Sequence, residues 1–264
     1  MSADYIIETN RLTKEFSGFT AVNAVDLRVR RGQIHALIGP NGAGKTTCFN
    51  LLTKFLSPTK GTIHFNGRDI TGEKAAQVAK RGIVRSFQIS AVFPDLSVLE
   101  NIRVALQRKL GTEFFFWRSE RSLASLDDQA MLLLQRVGLE SRADRLASQL
   151  PYGLKRMLEL ATTLALDPEL MLLDEPTAGV GHEDVDRIIE LIKLIAASRT
   201  IIMVEHNMKV VAGISDTITV LARGAILAEG SYAQVSSNPA VVAAYMGSSA
   251  ATLAGTRPDA RSVR

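Results

Sequence analysis

The stretch "GPNGAGKTT", which is Gly39, Pro40, Asn41, Gly42, Ala43, Gly44, Lys45, Thr46 and Thr47, constrains this chain more than any other feature. It satisfies G-x-x-x-x-G-K-[ST] from Gly39 to Thr46, between the apolar run "IHALI" and the helix-prone "CFNLLTKFL". Successive backbone N–H groups in such a loop form a concave nest for phosphates. Lys45 can reach the β- and γ-phosphates, and the Thr46 hydroxyl suits Mg²⁺. A glycine-rich surface turn needs neither the lysine and threonine at these spacings nor the flanking elements. The motif therefore predicts a strand, loop and helix holding a nucleoside triphosphate.

With 264 residues, 46% of them apolar and 6% aromatic, the chain can bury one substantial core and carry a smaller lobe. A net charge of +4 is mild for a nucleic-acid binder, and the basic residues are scattered among 27 acidic ones. The single cysteine, Cys48, excludes a disulfide framework, suggests a reducing compartment and reads as a small buried side chain. No apolar run approaches the length of a membrane span, and "MSADYIIETN" lacks the basic and apolar regions of a secretory signal. The expectation is a soluble chain that meets a membrane through a partner.

The opening segments "IIETNRLTKEF" and "AVNAVDLRVRRGQIHALIG" are β-prone and broken by turn residues, and "GTIHFNGRDI" adds a strand with an Asn66-Gly67 turn. Helical periodicity then dominates from Glu73 to about Leu150, as in "SVLENIRVALQRKL", and predicts a helical lobe inserted into the sheet domain. Strands return in "ELMLLDEP" and "RTIIMVEH" on either side of a helix, which indicates parallel pairing. A hairpin turning at Arg223-Gly224 follows. One domain over residues 1–247 is expected, with a disordered tail over 248–264.

The strand "LMLLDE" ends in two carboxylates. Where a parallel strand ends, both can line one crevice. Asp174 is the candidate for the Mg²⁺ shell and Glu175 for deprotonating the attacking water. Gln88, ending "IVRSFQ", could contact Mg²⁺ or that water, and His206, ending "IIMVEH", could bond the γ-phosphate and fix the water. Both residue types at strand ends are also common as surface decoration, so their weight comes from the other motifs.

Taken together, "GPNGAGKTT", Gln88, "LPYGLKR", "LMLLDEP" and His206 resemble, in order and spacing, the nucleotide-binding subunit of an ATP-binding cassette transporter, over nearly the whole chain. The resemblance implies an α/β P-loop NTPase fold with a mixed sheet core, N-terminal antiparallel strands and an inserted helical subdomain over about residues 75–160. It implies ATP and Mg²⁺, and a second cassette whose phosphate loop meets the signature stretch Leu150, Pro151, Tyr152 and Gly153. Phe16 matches the aromatic that stacks on adenine. The segment from Gln88 to Phe93 matches the contact with a transmembrane permease subunit, so the place implied is peripheral, on the cytoplasmic face of the inner membrane. Within the family, "DEPTAG", "VEHNM" and "EGSYAQVSSNPAVVAAYMG" resemble ATPase subunits of branched-chain amino acid importers, which implies an external solute-binding protein as a further partner. The cluster Phe114, Phe115, Phe116 and Trp117 could pack on a partner, a membrane surface or its own loop.

Two positions depart from the family pattern. Pro151 stands where a serine hydroxyl is usual, with Leu154 in place of a glutamine, and Gly181 stands where a polar residue links the two nucleotide sites. These departures put turnover or coupling in question and leave nucleotide binding untouched. A nucleic-acid-associated cassette ATPase or a regulatory cassette with little turnover are the alternatives. The first usually brings a second cassette, a coiled-coil insertion or a cysteine cluster.

Overall fold

The structure is a computed structural model that describes residues 4–86, 92–109 and 126–254. Two sheets organise it. The first is antiparallel and formed by β1 (Tyr5–Phe16), β2 (Phe19–Val25), β3 (Arg28–Arg30), β5 (Lys60–Phe65) and β6 (Arg68–Asp69), in the order β2-β1-β5-β6 with β3 also on β1. The predicted Asn66-Gly67 turn joins β5 to β6, both residues having positive φ (50° and 73°) as this tight hairpin requires.

The second sheet runs β11-β10-β4-β9-β8-β7. Its strands β7 (Ile83–Ser86), β8 (Leu170–Asp174), β9 (Thr200–Val204), β4 (Ile34–Ile38) and β10 (Thr217–Ala222) are parallel, and β11 (Ala225–Gly230) closes the edge antiparallel to β10. Every residue of β4, β8 and β9 is buried. The reason lies in their alternation. Met171, Leu173, Ile201 and Met203 enter a core shared with the helices, whereas Leu170, Leu172, Ile202 and Val204 enter a second core shared with the antiparallel sheet.

Helix α1 (Lys45–Leu52) contributes fully buried Cys48, Phe49, Leu51 and Leu52 to that second core. Burial pushes the Cys48 thiol up to about 12, so it stays protonated as the small apolar side chain that was expected. Helix α2 (Ala75–Lys80) precedes β7, so a strand of the main sheet lies inside the interval expected to be a helical lobe. The lobe itself is α3 (Val98–Lys109), α4 (Asp127–Arg136) and α5 (Tyr152–Ala165). The remaining helices are α6 (His182–Ala196), α7 (Met208–Ile214), α8 (Tyr232–Ser236) and α9 (Pro239–Ala254). Helix α9 carries the chain past Ser248, where an unstructured tail was expected to begin. Gln88 and the cluster Phe114, Phe115, Phe116 and Trp117 lie outside the described residues. No helix among the described residues is long and apolar enough to cross a membrane.

One polar residue sits inside β4. His35 is fully buried, and its Nε2 donates to Thr219 Oγ1 (2.7 Å), whose hydroxyl donates to Glu229 Oε2 (2.6 Å). Nδ1 is buried without a partner among the described residues, so a second proton there would be a desolvated charge with no acceptor. Burial accordingly pushes the imidazole down to about 4 from 6.5. The unfolded histidine takes up a proton near pH 6.5 and the folded one resists until about 4, so stability is full above 6.5 and falls through that window. Urea denaturation should show wild type losing about 2 kcal/mol more than His35→Gln between pH 7 and pH 5.

Candidate nucleotide site

The phosphate loop leaves β4 under tight steric control. Gly39 has φ 150°, and a Cβ there would lie 2.1 Å from the Leu221 carbonyl oxygen of β10. Gly44 has φ 99°, and its Cβ would lie 2.4 Å from the Ala21 carbonyl oxygen of β2. Both approaches exclude a side chain. Gly224 N donates to Ala43 O at 3.0 Å, so β2 and the β10–β11 turn grip the loop from two sides.

Gly44 is also the N-cap of α1, with no side-chain cap and no acidic residue in the first turn. The helix thus presents its terminal N–H groups and positive dipole end to an external anion. Lys45 is 7% exposed, and its Nζ donates to Gly39 O (2.7 Å) and Pro40 O (3.0 Å), across the concavity of the loop. Burial lowers this ammonium from the ordinary lysine range, and the carboxylates of Glu175 and Asp174 oppose the shift. Thr46 is exposed beside it.

The two carboxylates come from the end of β8. Asp174 is 3% exposed and accepts from the Arg85 guanidinium of β7. Glu175 turns away from the strand with φ 48°, a left-handed backbone that costs a non-glycine residue on the order of 1–3 kcal/mol. Arg156 of α5 holds that turn. Its Nη2 donates to Asp174 O (2.9 Å) and Glu175 O (3.2 Å), its Nε donates to Pro176 O (3.2 Å), and its Nη1 pairs with buried Glu159 Oε2 (2.6 Å). The result sets Glu175 Oε1 2.5 Å from His206 Nε2, beyond the end of β9. Buried Glu205 ties the two strand ends together, accepting from Thr177 N (2.9 Å), Thr177 Oγ1 (2.7 Å) and His206 N (3.1 Å).

The donor set fits Mg²⁺. Thr46 and Asp174 supply hard oxygen atoms, and no group of three or more His, Cys, Asp or Glu among the described residues could form a closed metal cage. A cation held by one hydroxyl and one carboxylate needs phosphate and water oxygens to complete its shell, which is the usual situation of Mg²⁺ at a nucleotide.

Phe16, at the end of β1, belongs to neither core. Its ring is exposed and Lys14 Nζ lies 5.1 Å from its centroid. In the signature stretch, Leu150 and Leu154 turn their side chains into the helical core, while Tyr152 is exposed and donates to Ala178 O at 3.3 Å. Pro151 is the N-cap of α5, so the proline nitrogen precedes the N–H groups of the first helical turn. A Cβ on Gly153 would meet Asp184 Oδ2 at 2.2 Å, so a side chain there would require the Asp184 carboxylate to move. Gly181 is the N-cap of α6 with no side-chain cap.

Arg85, Asn50, Arg156, Thr177 and Glu205 join the site without having been singled out in the sequence. Two had a readable signal: Arg85 is a charge within the β-prone run "IVRS", and Arg156 and Glu159 are opposite charges at i,i+3 on an otherwise apolar helix. A model of the family described as ABC transporter matches residues 22–178, which contain the phosphate loop, signature and acidic turn. The chain belongs to the ABC transporter family.

Within that family it is an ATPase subunit. A second model, described as Branched-chain amino acid ATP-binding cassette transporter, matches residues 225–251 of this ABC transporter protein. The high-affinity branched-chain amino acid transport ATP-binding protein BraF of Pseudomonas aeruginosa is 40% identical, over 92% of this chain and 98% of BraF. LivG of Salmonella typhimurium, described by the same words, is 41% identical over 92% and 98%. The ADP conformation of MJ1267, an ATP-binding cassette of an ABC transporter, superposes with TM-score 0.81 at 30% identity, covering 92% of this chain and 99% of MJ1267. These likenesses do not favour a nucleic-acid-associated ATPase.

Removing the Arg156 guanidinium strands Glu159 and frees the turn. Arg156→Met should cost about 3–5 kcal/mol of stability. Adding Glu159→Leu should recover much of that loss in urea denaturation, whereas phosphate release should remain impaired because the carbonyls of Asp174 and Glu175 stay untied.

Proposed function

We propose that this ABC transporter ATPase powers import of branched-chain amino acids. It would work as a peripheral subunit on the cytoplasmic face of the membrane, beside transmembrane permease subunits and a second cassette, with an external solute-binding protein delivering the solute. The match over residues 225–251 and the printed descriptions of BraF and LivG support the solute class. The chemistry rests on one observation, the bond between Glu175 Oε1 and His206 Nε2 beside the phosphate loop.

In this reading the loop N–H groups and Lys45 hold the phosphates of ATP, and Phe16 offers its exposed ring to adenine. Glu175 accepts the proton of the attacking water, and His206 fixes the direction in which that carboxylate points. Thr46 and Asp174 would hold Mg²⁺, which when bound would supply positive charge to the phosphate oxygens. Leu150, Pro151, Tyr152 and Gly153 approach the ATP of the partner cassette through backbone groups, since the side chains of Leu150 and the adjoining Leu154 serve the core. Gln88 would join the Mg²⁺ and water contacts, and Phe93, 52% exposed, would meet the permease.

Lys45→Ala should weaken ATP binding, whereas Glu175→Gln should keep ATP and lose turnover by roughly 10²–10⁴-fold. Equilibrium binding and phosphate release measure the two effects separately. Near wild-type turnover in Glu175→Gln would overturn the assigned role.

For the solute, vesicles holding the native permease and binding protein should take up leucine with ATP supplied on the cassette side. Glu175→Gln should abolish that uptake. Vesicles that hydrolyse ATP but take up no leucine, isoleucine or valine would refute the solute assignment and leave the ATPase reading standing.

A further inference from the structure

Asp174 has a cationic partner built into the fold. The Arg85 guanidinium gives Nη2 to Asp174 Oδ2 and Nη1 to Asn50 Oδ1, and stands over the Phe49 ring with 5.7 Å from Cζ to the centroid. The arginine and aspartate side chains are 9% and 5% exposed. Three elements therefore fix this charge: β7 carries it, α1 anchors it through Asn50 and Phe49, and β8 receives it. An arginine this well anchored is a fixed charge and not a mobile counter-ion.

We propose that Arg85 is a positioning residue that neutralises Asp174 in place of a divalent cation, so that metal joins this protein together with nucleotide phosphates and not ahead of them. The inference rests on the reading of Asp174 as the carboxylate that faces Mg²⁺. A divalent ion brought to a carboxylate already paired with a guanidinium meets a like charge at close range in a poorly solvated place. Asp174 and Thr46 are too few donors to outweigh that repulsion. Phosphate oxygens add negative charge and complete the shell, and the balance then turns in favour of the ion. Arg85 holds the Asp174 carboxylate at one orientation throughout, with Oδ2 committed to the guanidinium.

The test is Mn²⁺ affinity, read by electron paramagnetic resonance, with and without ADP, in proteins whose folding is checked by circular dichroism. Arg85→Gln and Arg85→Met remove the charge, and the second keeps an apolar chain against Phe49. Each should bind Mn²⁺ without nucleotide about tenfold or more tightly than wild type, from the loss of a unit like charge. Arg85→Lys should show no such gain. The gain should vanish when Asp174→Asn is added, and Mn²⁺ should raise the melting temperature of the neutral variants more than that of wild type.

Unchanged or weaker nucleotide-free Mn²⁺ binding in whichever neutral variant folds would overturn the proposal, as would a gain that survives Asp174→Asn. Asp174→Asn alone separates this failure from that of the underlying reading. If Asp174→Asn leaves Mn²⁺ affinity with ADP unchanged, Asp174 is not the metal carboxylate and the Arg85 inference falls with it.

Discussion

Burial of β4, β8 and β9 on both faces governs where this molecule can place charge. A strand with an apolar core above and below has no solvated face for a polar side chain, so ionisable residues collect where the backbone leaves the sheet. Asp174, Glu175, Glu205 and His206 all stand at or beyond the C-terminal ends of β8 and β9, and Lys45 follows the end of β4. His35 is the exception inside a central strand, and it is accommodated as a neutral ring bonded to Thr219. Fold and candidate site are consequences of one arrangement: the sheet that builds two cores also gathers these ionisable groups at one edge.

Crowding charge at one edge creates a second problem, because each desolvated ion costs several kcal/mol unless it is paired and hydrogen-bonded. The partners are specific. Asp174 has Arg85, Glu159 has Arg156, Glu205 has the Thr177 hydroxyl and three backbone N–H groups nearby, and Lys45 has two loop carbonyls under the influence of two carboxylates. A site balanced in this way remains stable before any ligand arrives, and the ligand then acts on groups whose directions are already set.

Much of this was legible in the residues because local patterns carry their own geometry. The phosphate loop is contiguous and flanked by its strand and helix, the Asn66-Gly67 turn is a two-residue signal, and the apolar runs ending in Asp174 and Glu205 announce buried parallel strands. What was not legible depends on contacts distant in sequence. Arg85 and Asp174 are 89 residues apart, and Arg156 reaches carbonyls 18 to 20 residues away, distances over which periodicity says nothing. The extent of the helical lobe was blurred for a related reason: β7 is a β-prone run of only four residues amid helical segments, and its place in the main sheet comes from pairing with β8, far along the chain. Leu150 and Leu154 illustrate the limit within a motif, since a quoted stretch does not reveal which side chains belong to the core and which face outward.

Arg156 also sets a mechanical relation between the helical lobe and the acidic turn. Its guanidinium is bonded to the carbonyls of that turn, while its backbone lies four residues from Tyr152 at the start of α5, about 6 Å at the helical rise. The helix is thus a short lever whose fulcrum sits on the main chain of Asp174 and Glu175. A tilt of about ten degrees about that fulcrum carries the exposed end of α5 through about 1 Å, with Asp174 and Glu175 barely displaced. Motion of the lobe can therefore be felt at the exposed start of α5 and hardly at all at the turn that carries Asp174 and Glu175.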